Sequence, residues 1–137
     1  MKSNSLDRII QTALLIAALM IFPSSMVRAQ ALKADNVHLK DTFIVVGTIE
    51  VPSDGWLVAH RGESPTGVKP GEIIGAAPVK AGSNREVQLP APETLQPGTA
   101  LILMLHKDAG TVGSFNEADD KPVMAGEKPV MEEVKIK

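Results

Sequence analysis

Two histidines each close a short apolar stretch of this chain. His60 closes Trp56-Leu57-Val58-Ala59-His60, and His106 closes Leu101-Ile102-Leu103-Met104-Leu105-His106. If those stretches are neighbouring strands, the two imidazoles lie near each other at one rim of the fold. Paired imidazoles beside Met104 suit copper or zinc, because imidazole is a borderline ligand and a thioether a soft one. A blue-copper centre is ruled out, since the chain has no cysteine. The competing reading is structural: each histidine packs at a strand end and hydrogen-bonds a loop backbone. His38 reads as a surface residue.

A second group follows His106. Asp108, Asn116, Glu117, Asp119 and Asp120 sit in one Gly-containing loop, with Lys121 behind them. Oxygen ligands on a flexible loop are what calcium takes. Asp108, Asp119 and Asp120 therefore join His60 and His106 as candidate metal ligands, for a weakly held divalent cation. The spacing is not that of an EF-hand. The plainer reading is an acidic loop whose aspartates cap their own turns. No resident cofactor is expected. No Gly-x-Ser-x-Gly elbow, His-Glu-x-x-His pair or Gly-rich phosphate loop is present. Glu132 and Glu133 are adjacent, so in a strand they face opposite ways and make a poor acid–base pair. The expectation is a protein that is not an enzyme.

The elements that must position these residues are short. After residue 31, Gly and Pro are dense, and Val-, Ile- and Leu-rich runs are broken by turn signals at regular intervals. That pattern predicts an all-β, immunoglobulin-like antiparallel sandwich of about seven strands. Strands are expected at Phe43–Val51, Trp56–His60, Glu72–Val79, Glu86–Leu89, Ala100–Lys107 and Val130–Ile136. Pro52-Ser53-Asp54-Gly55 reads as a turn, Arg61 to Pro70 as a polar loop and Asp108 to Lys121 as a long acidic loop. In the first of these strands Phe43, Val45, Ile49 and Val51 are placed on one face. Ala100–Lys107 is expected to be central, with Leu103 in the core. In the last strand Glu132 shares a face with Val130, Val134 and Ile136, which is an imperfect alternation.

Ahead of the sandwich, residues 1–31 read as a secretory leader. Lys2 and Arg8 precede an apolar run from Ile9 to Phe22, then Pro23-Ser24-Ser25 and small residues. Val27-Arg28-Ala29 would release Gln30; Ala29-Gln30-Ala31 would release Leu32. The run is shorter than the roughly twenty residues of a spanning helix. The expectation is a cleaved signal helix and a single domain over 32–137, secreted or periplasmic, with no membrane span once the leader is gone.

The chain holds 14 Lys+Arg and 16 Asp+Glu. The leader takes Lys2, Arg8, Arg28 and Asp7, leaving 11 against 15 and a mature net charge of about −4. A nucleic-acid binder would instead show a basic stripe. One Trp, three Phe and no Tyr supply few stacking surfaces for sugars or bases. Without cysteines, the domain must stand on its core rather than on the disulfides common in small exported domains.

The ordered string Val51-Pro52-Ser53-Asp54-Gly55-Trp56-Leu57-Val58-Ala59-His60, Pro70-Gly71-Glu72-Ile73-Ile74-Gly75, Lys80-Ala81-Gly82, Leu103-Met104-Leu105-His106-Lys107-Asp108, Gly113-Ser114-Phe115 and Asp120-Lys121-Pro122-Val123 resembles domain of unknown function 7282, over about residues 36 to 136. The resemblance implies an immunoglobulin-like sandwich in secreted and cell-surface proteins of haloarchaea and bacteria. It implies no reaction, ligand or catalytic residue. The segment after His106 carries fewer aspartates and glycines than that family's usual run, which weakens an ion-binding loop. The sequence points to an exported, non-catalytic, monomeric module that binds an extracytoplasmic protein or envelope component. A periplasmic metal-binding protein using His60 and His106 is the alternative, and a small hydrolase a further one.

Overall fold

The computed structural model describes residues 31–63, 69–91 and 94–137. The proposed leader lies outside the described residues. Among the described residues nine strands run in chain order: β1 Lys33–Lys40, β2 Phe43–Val51, β3 Gly55–Glu63, β4 Lys69–Val79, β5 Gly82–Pro90, β6 Ala100–His106, β7 Met124–Ala125, β8 Lys128–Pro129 and β9 Met131–Lys135. Seven of them make two antiparallel sheets, ordered β1-β2-β5 and β4-β3-β6-β9; β7 and β8 form a two-residue hairpin. This is an immunoglobulin-like sandwich whose fourth strand has joined the sheet of β3, β6 and β9.

β1 is absent from the sequence-based expectation because Lys33, Asp35, Asn36 and His38 dilute its apolar signal. Its pairing with β2, from Lys33↔Glu50 to Lys40↔Phe43, holds it in place. β3 and β4 both extend into the expected loop, so that only residues 64–68 separate them. β6 lies between β3 and β9, as expected for the most apolar run, and Leu103 is fully buried.

The face of β2 differs from expectation. Ile44 and Val46 face the core, and then Ile49 and Val51 do; Phe43 and Val45 are not on that face. The strand changes parity at Gly47. The same change runs across the whole sheet: β1 turns Ala34 inward and then Val37 and Leu39. The register places Asn36 and Glu86 on either side of Gly47. Asn36 has φ 54° and Glu86 φ 49°, the left-handed region that side chains other than Gly rarely adopt. One left-handed residue in each flanking strand rotates the side chains beyond it, so all three strands switch faces together and stay paired. Gly47 makes this possible, since a Cβ there would stand 3.0 Å from the Asn36 side chain.

Between the sheets lies a core of Ile44, Val46, Ile49, Leu57, Leu89, Leu101, Leu103 and Leu105 with smaller neighbours. The imperfect alternation of β9 also has a cause. Glu132 accepts a hydrogen bond from the Ala34 backbone N–H, and the Lys137 N–H donates to the Val37 carbonyl at 2.9 Å. The carboxylate on the inner side of β9 thus ties down the open edge of β1, which would otherwise present unpaired backbone groups.

Candidate functional site

β3 and β6 run antiparallel with Trp56↔His106, Val58↔Met104 and His60↔Ile102 as partners. Period-two alternation puts Leu57, Ala59, Leu101, Leu103 and Leu105 into the core and these six partners on the outer face of the same sheet. All six are buried, so both faces of these two strands are covered. That is why the strands read as continuous apolar runs.

Part of the cover is the loop from Lys107 to Val123. Phe115 reaches back with its ring centre 5.8 Å from that of Trp56 and 5.7 Å from that of His106, edge-on to the imidazole. Asp120 fixes the loop from within. Its Oδ1 accepts from the Ala109 and Gly110 N–H groups at 2.8 and 3.0 Å, and its Oδ2 from the Asn116 N–H at 2.8 Å. The side chain is fully buried, and these backbone donors, that of Asn116 first, hold its carboxyl below the usual carboxylate range.

The structure brings His60 and His106 together. Their Nε2 atoms are 3.4 Å apart, the ring centres 5.6 Å apart and the ring planes 25° apart. The centres are farther apart than the nitrogens by about two ring radii, so the rings meet tip to tip. On the far side of each ring, Nδ1 lies 3.0 Å from the Gly71 carbonyl oxygen for His60 and 2.7 Å from the Asp120 carbonyl oxygen for His106. A carbonyl only accepts, so each Nδ1 carries a proton and donates it. In the neutral rings, Nε2 is then a bare lone pair, and two such lone pairs point at each other.

The backbone is shaped for this. Opposite His60, β4 carries surplus residues at two register shifts, where the pairing passes from Ala59↔Gly75 to His60↔Ile73 to Gly62↔Pro70. Such bulges re-aim side chains and backbone groups. Gly71 sits in the second, and a Cβ there would approach the Arg61 carbonyl oxygen to 2.7 Å, so this close crossing requires glycine. Burial is the first cause that pushes the His106 imidazole below its ordinary value; its bond to Asp120 works against the shift, and nearby His60 adds to it.

The acidic candidates fall elsewhere. Asp120 contributes its backbone carbonyl to His106 and spends its carboxylate on the loop. Asp108 accepts from the Gly113 N–H at 3.2 Å, and Asp119 from the Asn116 side-chain amide at 3.1 Å. Carboxylate crowding is thus met by N–H donors. Among the described residues, no three His, Cys, Asp or Glu side chains converge as a metal-holding set. His38 bonds its local backbone, with Nδ1 3.1 Å from the Asn36 carbonyl oxygen. A groove lined by Lys33, Asp35, Thr48, Glu50 and Ser83 lies along β1, β2 and β5 and holds none of the candidates.

Trp56 escaped the sequence reading as a site residue. It is buried, and its indole N–H has no hydrogen-bond partner among the described residues. The signal was available: Trp56 precedes His60 by four residues in one strand, which puts both on one face. The Gly71 carbonyl carried no such signal, because only the bulge brings it to His60.

One protein-family model, described as Domain of unknown function (DUF7282), matches residues 30–137. The chain belongs to this family. The DUF7282 match begins next to the expected leader and takes in both sheets, both histidines and the Asp120 loop. No curated protein and no solved structure matches the chain.

Proposed function

We propose that this chain is an exported, non-catalytic module that binds or supports another component outside the cytoplasm. The observation that carries the reading is the state of the two histidines. Both are buried; each Nδ1 donates to a backbone carbonyl, and the two Nε2 atoms face each other 3.4 Å apart rather than a substrate. A general base needs an exposed lone pair within reach of a substrate and a nucleophile to activate. These imidazoles are instead built into the fold, with Phe115 edge-on to His106. The sandwich holds up a loop pre-formed by Asp120, and loops on rigid scaffolds are where binding surfaces reside. The tip of that loop exposes Val112. The leader pattern of residues 1–31 supports export, and the mildly acidic mature chain favours a protein or envelope partner over nucleic acid.

Cross-linking and pull-down from cell envelopes tests this. The tagged chain should retain a defined envelope component. A Val112→Asp variant with unchanged melting should lose it. Fractionation should find the protein outside the cytoplasm. Recovery in the cytoplasm, or an envelope yield no different from an unrelated sandwich, would sink the reading.

A further inference from the structure

We propose that His60 and His106 bind one soft, monovalent metal ion of the copper(I) class between their Nε2 atoms. This goes beyond the module reading, which depends on a partner and not on an ion.

The argument begins with the unusual contact. Each imidazole has its Nδ1 proton held by a carbonyl, so that without a second proton the rings point bare nitrogens at one another across 3.4 Å. Lone pairs so opposed repel unless a cation lies between them. Metal-binding histidines are commonly set in this way, with the remote ring nitrogen donating to a carbonyl that fixes tautomer and orientation. Here both rings are set so, from separate elements, by the bulge of β4 and by the Asp120 loop.

The surroundings select the ion. Calcium and magnesium require several oxygen ligands; of the two carboxylates whose charge reaches His106, Glu117 and Asp120, that of Asp120 is occupied by backbone donors. Zinc takes four ligands in a tetrahedron, whereas two imidazoles meet here tip to tip. Tip-to-tip lone pairs are the arrangement of a two-coordinate d10 ion. At a metal–nitrogen bond of ~2.0 Å, a linear site needs its nitrogens about 4 Å apart, so the rings must part by roughly half an ångström. A single positive charge is also the least costly to bury between neutral ligands, and among the described residues the buried indole N–H of Trp56, on the same sheet face, finds no acceptor. Met104 lies two residues from His106 on the same face of β6, with Met131 as its cross-strand partner. Two thioethers therefore share the sheet face with the imidazoles, and soft sulfur favours copper(I).

The test uses the full-length gene product purified from its host. It is titrated without oxygen with copper(I) against a chromogenic copper(I) chelator, and separately with silver(I) and zinc(II). One equivalent of copper(I) or silver(I) should bind, and the emission of Trp56, the only tryptophan, should change with the same stoichiometry. His60→Gln and His106→Gln should each weaken binding by about 100-fold or more. Nitrogen-15 spectra of the imidazoles provide a readout that does not depend on the variants folding. Both Nε2 resonances should be unprotonated at neutral pH and move with silver(I), while both Nδ1 stay protonated. Failure to compete with the chelator, undiminished binding in the folded double variant, or tighter binding of zinc(II) than of copper(I) would each overturn the proposal. So would an Nε2 that is protonated at neutral pH and unmoved by silver(I). Loss of metal binding with partner capture intact would leave the module reading standing, and the converse would leave the ion.

Discussion

At the scale of single residues, Asp120 and His106 form one device. The carboxylate gathers three backbone N–H groups, and the carbonyl of the same residue sets the proton on His106 Nδ1. Asp120→Ala should therefore lower the melting temperature. It should also free Phe115 from Trp56, which a change in Trp56 emission would report. Unchanged melting and emission would mean that the loop is held otherwise. The pH dependence follows from the shifts. A buried His106 that titrates low stays neutral while the unfolded chain takes up a proton near pH ~6.5. The unfolded state then binds more protons, so stability is greatest above that pH and is lost as pH falls through it. Asp120, also lowered, adds loss of the same sign below about pH 4. Melting temperature should fall between pH 7.5 and 5.5, and His106→Gln should flatten that slope. An equal slope in the variant would place the sensitivity elsewhere.

At the scale of elements, the row Asn36, Gly47 and Glu86 carries the lesson. Hydrophobic alternation was legible on either side of it, but the reading of β2 ran one parity through the whole strand. The error lay at Gly47, because a change of parity leaves no mark in the apolar pattern except two segments that disagree. Glu86 is exposed and left-handed, so Glu86→Gly relieves a conformation that costs other residues about 1–2 kcal/mol. Glycine's extra freedom in the unfolded chain offsets part of this. Glu86→Gly should be neutral or stabilising by up to ~1 kcal/mol, whereas Gln88→Gly, two residues along in the extended strand, should cost about 0.5–1 kcal/mol. Denaturant unfolding of both variants decides it; equal losses would argue against the left-handed row. Glu132 shows the reverse case. Its place among Val130, Val134 and Ile136 looked like a flaw in the strand and proves to be a bond to β1.

At the scale of the molecule, a domain without disulfides stands on its sandwich core. Leu103 lies mid-strand in β6, between β3 and β9, and is fully buried. Leu103→Ala should cost about 2–5 kcal/mol in equilibrium unfolding; a loss below about 1 kcal/mol would show that the site collapses around the smaller side chain. For the leader, the expected outcome is a mature N-terminus at Gln30 or Leu32, read by N-terminal sequencing of protein from the host. Intact Met1 to Phe22 in a membrane fraction would refute cleavage.

The sequence by itself determined the class of fold, the central place of β6, the core position of Leu103, the turn at Pro52–Gly55 and the acidic loop. It could do so because burial period, turn chemistry and charge are local properties written residue by residue. It also set His106 at the end of its strand, whereas His60, expected to end its own, lies inside β3, which runs on to Glu63. Only the tertiary structure decided that the two rings meet, that Phe115 packs against Trp56 and His106 and that Asp120 serves the loop with its carboxylate. Those facts depend on antiparallel register, on the bulges of β4 and on the return path of a loop. Each joins residues far apart in the chain, for which local sequence carries no signal.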